Sequence, residues 1–141
     1  MSADYPSMTT AEIRSKFLNF FEERGLKLYP SSSLVPDDPS LLLANAGMNQ
    51  FKEYYQGKKT MKEIGAISCQ KCVRTNDIDC IGEDGRHLSF FEMLGDFSFG
   101  GVSKEQACAW AFELITKEFK LPLDRLYFCL LYTSPSPRDR G

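Results

Sequence analysis

The sequence predicts an α/β fold of the α+β kind, an antiparallel sheet flanked by helices. Three observations carry this. The stretch Cys69 to Gly100, CQKCVRTNDIDCIGEDGRHLSFFEMLGDFSFG, reads as a long hairpin. One arm ends in Val73–Arg74, a polar loop runs from Thr75 to His87, and a second arm from Leu88 to Gly100 carries four phenylalanines. Two capping boxes, Thr9 with Glu12 and Ser103 with Gln106, each open a segment whose apolar residues recur at helical spacing. The chain has 141 residues and is 43% hydrophobic, enough for one domain with a core.

The elements follow in order. Met1 to Met8 reads as a loose leader. Ile13, Phe17, Phe20 and Phe21 form the buried stripe of a first helix, with Gly25 as its C-terminal cap. Leu26 to Tyr29 reads as a short strand, broken by Pro30 and the serines after it. The prolines at 36 and 39 make the next segment a turn-rich link. Leu41 to Ala44 reads as a short buried strand. Asn45-Ala46-Gly47-Met48 follows, with Gly47 suited to close backbone approach, and Asn49 to Tyr55 reads as a short helix. Lys58, Lys59 and Lys62 mark a solvated basic loop. Ile64 to Ser68 is extended and runs into the hairpin. From Ser103 to about Phe119 a helix is expected, packing Ala107, Trp110, Ala111 and Leu114 on the sheet. Leu126 to about Tyr132 reads as a strand. Thr133 to Gly141 is polar and aperiodic and reads as disordered.

Net charge is −2, which gives no general sign of the basic patch that marks nucleic-acid binders. Its distribution matters more than its sum. No apolar run approaches the roughly 20 residues needed to span a bilayer. The N-terminus has no apolar h-region of a signal peptide. Five cysteines, an odd number, suit a reducing compartment, and the chain is read as cytoplasmic.

Candidate chemistry concentrates at the hairpin. Arg74 opens a loop rich in acids, where it either pairs with a carboxylate or offers its planar fork to a phosphate. Phe90 and Phe91 are adjacent, so on a strand they face opposite ways; one can be core and the other a stacking platform. Glu92 then shares the Phe90 face, and Met93 the Phe91 face. Met48 is either a gap-filler or a pocket wall. Cys69-Gln70-Lys71-Cys72 is a lone CxxC, and zinc wants four ligands. Positions i and i+3 on a strand point to opposite faces, so two ordinary thiols are expected and no metal site. There is no Ser–His–Asp set and no GxxxxGK[ST] loop.

Four ordered blocks give the chain a resemblance. TAEIRSKFLNFFEERG, SSSLVPDDPSLLLANAGMNQFK, QKCVRTNDID and RHLSFFEMLGDFSFG closely resemble the N-terminal end of the alanyl-tRNA synthetase family, class II aminoacyl-tRNA synthetases. The second block looks like motif 1, and the last two look like the arms of motif 2. The resemblance implies a partial class II catalytic fold. It implies alanine–tRNA ligation: alanine and ATP, with magnesium, give alanyl-adenylate, and the alanyl group moves to alanine tRNA. Arg74 matches the motif 2 arginine, catalytic in that it holds the α-phosphate and the alanine carboxylate. Phe91 matches the ring that stacks on adenine. Glu92 and Met93 match residues of the adenine side, Asp77 a loop acid near the reacting groups, and Met48 a wall of the alanine pocket.

The sequence also departs from that pattern. The loop TNDIDCIGEDG is shorter than in some members, and His87-Leu88 stands where some have two histidines. Nothing matches motif 3, and the family's zinc-bearing editing domain has no counterpart here. Residues 1–128 are read as the first part of the catalytic domain and 129–141 as an unrelated tail, expected to arise from a truncated reading frame. Such a chain is expected to be inactive alone. Two other readings remain: a non-catalytic module that binds ATP or the tRNA acceptor end, and a misfolding-prone structural fragment with unpaired sheet edges.

Overall fold

A computed structural model describes residues 7–75, 78–83, 85 and 87–128. The expected strand's residues beyond 128, the tail, and Asp77 lie outside the described residues. Among the described residues no helix is long and apolar enough to cross a membrane.

Helix α1 (Thr10–Glu22) starts as its sequence dictates. The Thr9 hydroxyl accepts from the Glu12 N–H at 3.2 Å, and the Glu12 carboxylate accepts from the Thr9 N–H at 2.7 Å. It ends in a Schellman motif: the Leu26 N–H donates to the Phe21 carbonyl and the Gly25 N–H to that of Glu22. Gly25 sits at φ +88°, where a Cβ would be strained. Strand β1 (Lys27–Leu28) follows at once.

Strands β2 (Gly65–Val73) and β3 (Phe90–Ser98) form the expected antiparallel hairpin, in register from Gly65 opposite Ser98 to Val73 opposite Phe90. The two-residue β1 joins the other edge of β2, and does so in parallel. A 3₁₀ turn at Gly47–Phe51 runs into α2 (Lys52–Tyr55), as the sequence led one to expect, two residues early. Helix α3 (Lys104–Glu113) carries the second capping box and widens into a π turn over Leu114–Glu118.

Three expectations need correction. Leu41 to Ala44 is not a strand: only Ala44 is buried and Leu42 is 89% exposed. Among the described residues this run makes scattered backbone hydrogen bonds and no ladder: the Leu41 N–H to the Asp38 carbonyl, the Ala44 N–H to the Leu34 carbonyl and the Val73 N–H to the Ala44 carbonyl. Only part of the α3 face meets the core. Leu114 is buried and Trp110 packs edge-on against Phe21 at 6.4 Å, whereas Ala107 and Ala111 lie exposed, because α3 touches the core through its C-terminal end. Finally, Leu126 to Phe128 has no strand; a 3₁₀ turn at Leu123–Arg125 precedes it.

The hairpin has two differently furnished faces. Opposite residues in an antiparallel pair share a face. One face presents Ile67, Cys69 and Lys71 with Leu94 and Glu92; the other presents Ala66, Ser68, Gln70 and Cys72 with Phe97, Gly95, Met93 and Phe91. Helix α1 covers the first, where Phe17, Phe20, Phe21, Leu26, Ile67 and Leu114 form the core. The segment from Tyr29 to Tyr55 covers the second.

Candidate functional site

The second face is built from aromatic rings at its lower end. Phe51 is buried and meets Phe97 at 4.8 Å, Tyr29 at 5.3 Å and Phe99 at 5.9 Å between ring centroids. Above them a buried amide takes over. Gln70 Oε1 accepts from the Ser32 N–H at 2.8 Å, the Ser32 hydroxyl at 3.1 Å and Gln50 Nε2 at 3.2 Å. Its Nε2 donates to the carbonyls of Ser32 and Lys71. A fully buried amide needs such partners, and these tie the Ser32 loop and the Gly47–Phe51 turn to the sheet.

At the upper end the segment Ala44–Met48 crosses the hairpin as a strap. Gly47 lies so close that an added Cβ would stand 3.1 Å from Phe97 Cζ and 3.7 Å from Gln70 Cβ. Its N–H donates to Met93 Sδ at 3.2 Å. Arg74, one residue past β2, keeps the ladder going through its N–H to the Ser89 carbonyl. Its side chain turns back over the strap: Nε donates to the Asn45 carbonyl at 3.0 Å, and the guanidinium carbon lies 5.3 Å from the centroid of Phe91. That is an offset cation–π contact. Arg74 and Phe91 thus share one corner of the face, at the loop end of the hairpin.

The expected site residues divide by face. Arg74, Phe91 and Met93 come together, with Met48 nearby on the strap, 47% exposed. Met93 supports the strap from below through its sulfur. Glu92 is not brought to this corner. Its carboxylate lies on the α1 face and accepts from Arg14 Nη2 at 2.6 Å and Nε at 3.1 Å. The Arg14 guanidinium holds that carboxyl below its ordinary range. Asp77 lies outside the described residues. The thiols of Cys69 and Cys72 sit on opposite faces of β2, as strand alternation requires, and burial pushes both upward.

Sequence reasoning passed over three contributors. Gln70 was hidden between the two cysteines, although its place two residues before Cys72 puts it on the same face. The Asn45 carbonyl is a main-chain group that no residue type announces. Arg14 pairs across 78 positions, and only the register of helix on sheet reveals it.

A cleft of about 540 Å³ lies apart from this corner, between the Ser32–Pro39 link and the Asn49–Lys59 segment. Its lining carries three acids and three lysines, and two pairs are in contact: Lys52 Nζ donates to Asp38 at 2.5 Å, and Lys59 pairs with Glu53. Lys52 and Ser40 hold the Asp38 carboxyl well below the usual range. The cleft therefore offers a self-neutralised wall, whereas the Arg74 corner offers a cation beside a ring. Among the described residues, no three metal-ligating side chains converge.

Comparison with known proteins matches this chain, over residues 12–135, to the family described as class II (A) tRNA synthetases. Among curated relatives, an alanine–tRNA ligase of chloroplasts and mitochondria from Sorghum bicolor is 56% identical over 115 residues, 82% of this chain and 12% of the relative. An alanine–tRNA ligase from Synechocystis is 52% identical over 126 residues, 89% of this chain and 14% of the relative. One from Pseudothermotoga lettingae is 52% identical over 120 residues, 85% of this chain and 14% of the relative. The chain thus spans 12–14% of the length of these relatives.

Proposed function

The chain belongs to the class II tRNA synthetases, and we propose that it forms the Arg74 side of an ATP and alanine site in an alanine–tRNA ligase. The observation that carries this is the corner itself: a guanidinium held at Nε by the Asn45 carbonyl and set over the Phe91 ring. The names of the relatives supply alanine and tRNA as substrates. In this reading the Arg74 fork faces the α-phosphate and the alanine carboxylate. It neutralises charge that accumulates during in-line displacement and aligns the attacking carboxylate. Phe91 offers its ring to adenine, which is worth about 1–3 kcal/mol. Met48 borders the alanine side and Met93 the adenine side. Asp77 is assigned to the loop over the reacting groups. Magnesium belongs to the substrate and travels with the ATP phosphates.

Residues 1–128 are read as the catalytic-domain part and 129–141 as a separate tail. By themselves these residues bind ATP rather than ligate alanine. What supports this is the openness of the corner: Arg74 is exposed and Phe91 half-buried, with no opposing wall among the described residues. We place the chain in the cytoplasm, whose reducing conditions suit the free thiols of Cys69, Cys72 and Cys108.

Calorimetric titration of the chain with ATP–magnesium tests the reading. Saturable binding is expected, weakened about tenfold or more in Arg74→Ala, the loss typical of a charge-assisted contact. Affinity unchanged by that substitution would sink it. Alanine-dependent pyrophosphate exchange by this chain above background would overturn the claim that it binds without ligating.

A further inference from the structure

Arginine is a long, entropically loose side chain, and an exposed one does not hold a fixed aim unaided. Arg74 is exposed, yet its guanidinium is fixed at two points. Because that group is planar, a hydrogen bond at Nε together with the Phe91 ring 5.3 Å from its central carbon narrows where both Nη atoms lie. The Nε anchor is a main-chain carbonyl, so its position depends wholly on the path of the strap.

That path is determined by contacts remote from Arg74. The Ala44 carbonyl accepts from the Val73 N–H at 2.9 Å, and the Asn45 side-chain oxygen accepts from Asn49 Nδ2 at 3.1 Å. Gly47 presses on the Phe97 ring and donates to Met93. That ring has nowhere to retreat: it lies over Gly95, where a Cβ would stand 2.6 Å from its Cζ, and it packs on Phe51. Beyond Gly47, Gln50 is tied to the buried Gln70.

The geometry points to Gly47 as a positioning residue for Arg74. By seating the Ala44–Met48 strap on the Phe97 ring, it sets the Asn45 carbonyl that aims the guanidinium. Gly47 touches no substrate in this scheme; it acts only through Arg74. The inference rests on the reading of Arg74 as the phosphate-facing arginine, and adds how that residue is held.

A substitution cycle tests it on the full chain, with Gly47→Val, Arg74→Lys and the double variant. The readouts are ATP–magnesium affinity by calorimetry and the Arg74 Nε–H signal by ¹⁵N NMR. In Gly47→Val the ordered Nε–H signal should be lost and ATP affinity should fall about tenfold, the worth of one charge-assisted contact. In the Arg74→Lys background, which has no guanidinium to aim, the same change should cost almost nothing more. Equal losses in both backgrounds, or an unaltered Nε–H signal, would overturn the proposal. Should Gly47→Val fail to fold, Asn49→Ala loosens the strap from its exposed side, and the same two outcomes apply on a smaller scale. A wild-type chain that binds no ATP defeats the nucleotide reading. The Nε–H signal, which needs no ligand, then decides the positioning claim alone.

Discussion

On one face of the hairpin, α1 lays Phe17, Phe20 and Phe21 against Ile67 and Leu94, and helix and sheet close an apolar core. On the other face a short irregular segment is fastened point by point: a buried amide, a glycine seated on a ring, a carbonyl that catches an arginine. The first face is held by burial of area, which is forgiving of direction. The second has its own buried aromatic cluster around Phe51 and adds directional contacts, which fix atoms in place. Both sides of the same two strands are packed, and the directional contacts that set aim are gathered on one of them. Arg74 and Phe91 stand on the directional side, where the proposed nucleotide corner requires geometry more than bulk.

Substitutions on each face should separate these two properties. The largest effect is expected from Phe21→Ala on the α1 face. A large-to-small change in a closed core costs about 3–5 kcal/mol. In a chemical denaturation series the midpoint should fall steeply, while protein that remains folded should bind ATP with unchanged affinity. A variant that keeps its midpoint would break the division. Phe91→Leu on the other face should do the reverse. It should lower ATP affinity by about 1–3 kcal/mol, the stacking value, with little change in midpoint, because the ring is only half-buried.

The smallest effect is expected from Glu92→Gln, which reaches the α1 face but not the Arg74 corner. ATP affinity should be unchanged. Arg14 depresses the folded carboxyl pKa, so the pair adds stability above the ordinary carboxyl value of 4.5 and loses it as pH falls through the lowered folded value. The variant should therefore melt slightly below wild type at neutral pH, and the gap should close in acid. The pair is about one-third exposed, so the gap is small. A gap that widens in acid would show that the carboxylate is not paired as described.

The contrast between the faces also explains what could be read from the sequence. The α1 stripe, both capping boxes and the hairpin arms are periodic or local signals, and all three are present in the structure. The face alternation of Phe90, Phe91, Glu92 and Met93 follows from the same period of two. The strap does not. Leu41 to Ala44 has the composition of a buried strand, and only the prolines before it and the absence of a full ladder exclude one. Gln70 and the Asn45 carbonyl matter through partners far away in the chain, which no window of sequence displays. Glu92 was linked to the adenine side by resemblance, whereas alternation alone already put it on the face away from Met93.

The central claim is that the face bearing Arg74 receives the nucleotide. The most direct test is a ¹⁵N NMR titration of the chain with ATP–magnesium, with and without alanine. Saturable shifts are predicted at Asn45, Gly47, Arg74, Phe91 and Met93, with Phe17, Phe21 and Leu94 unmoved. The account would be contradicted by the absence of saturable shifts, or by shifts centred on the α1 face or on the Ser32–Pro39 cleft.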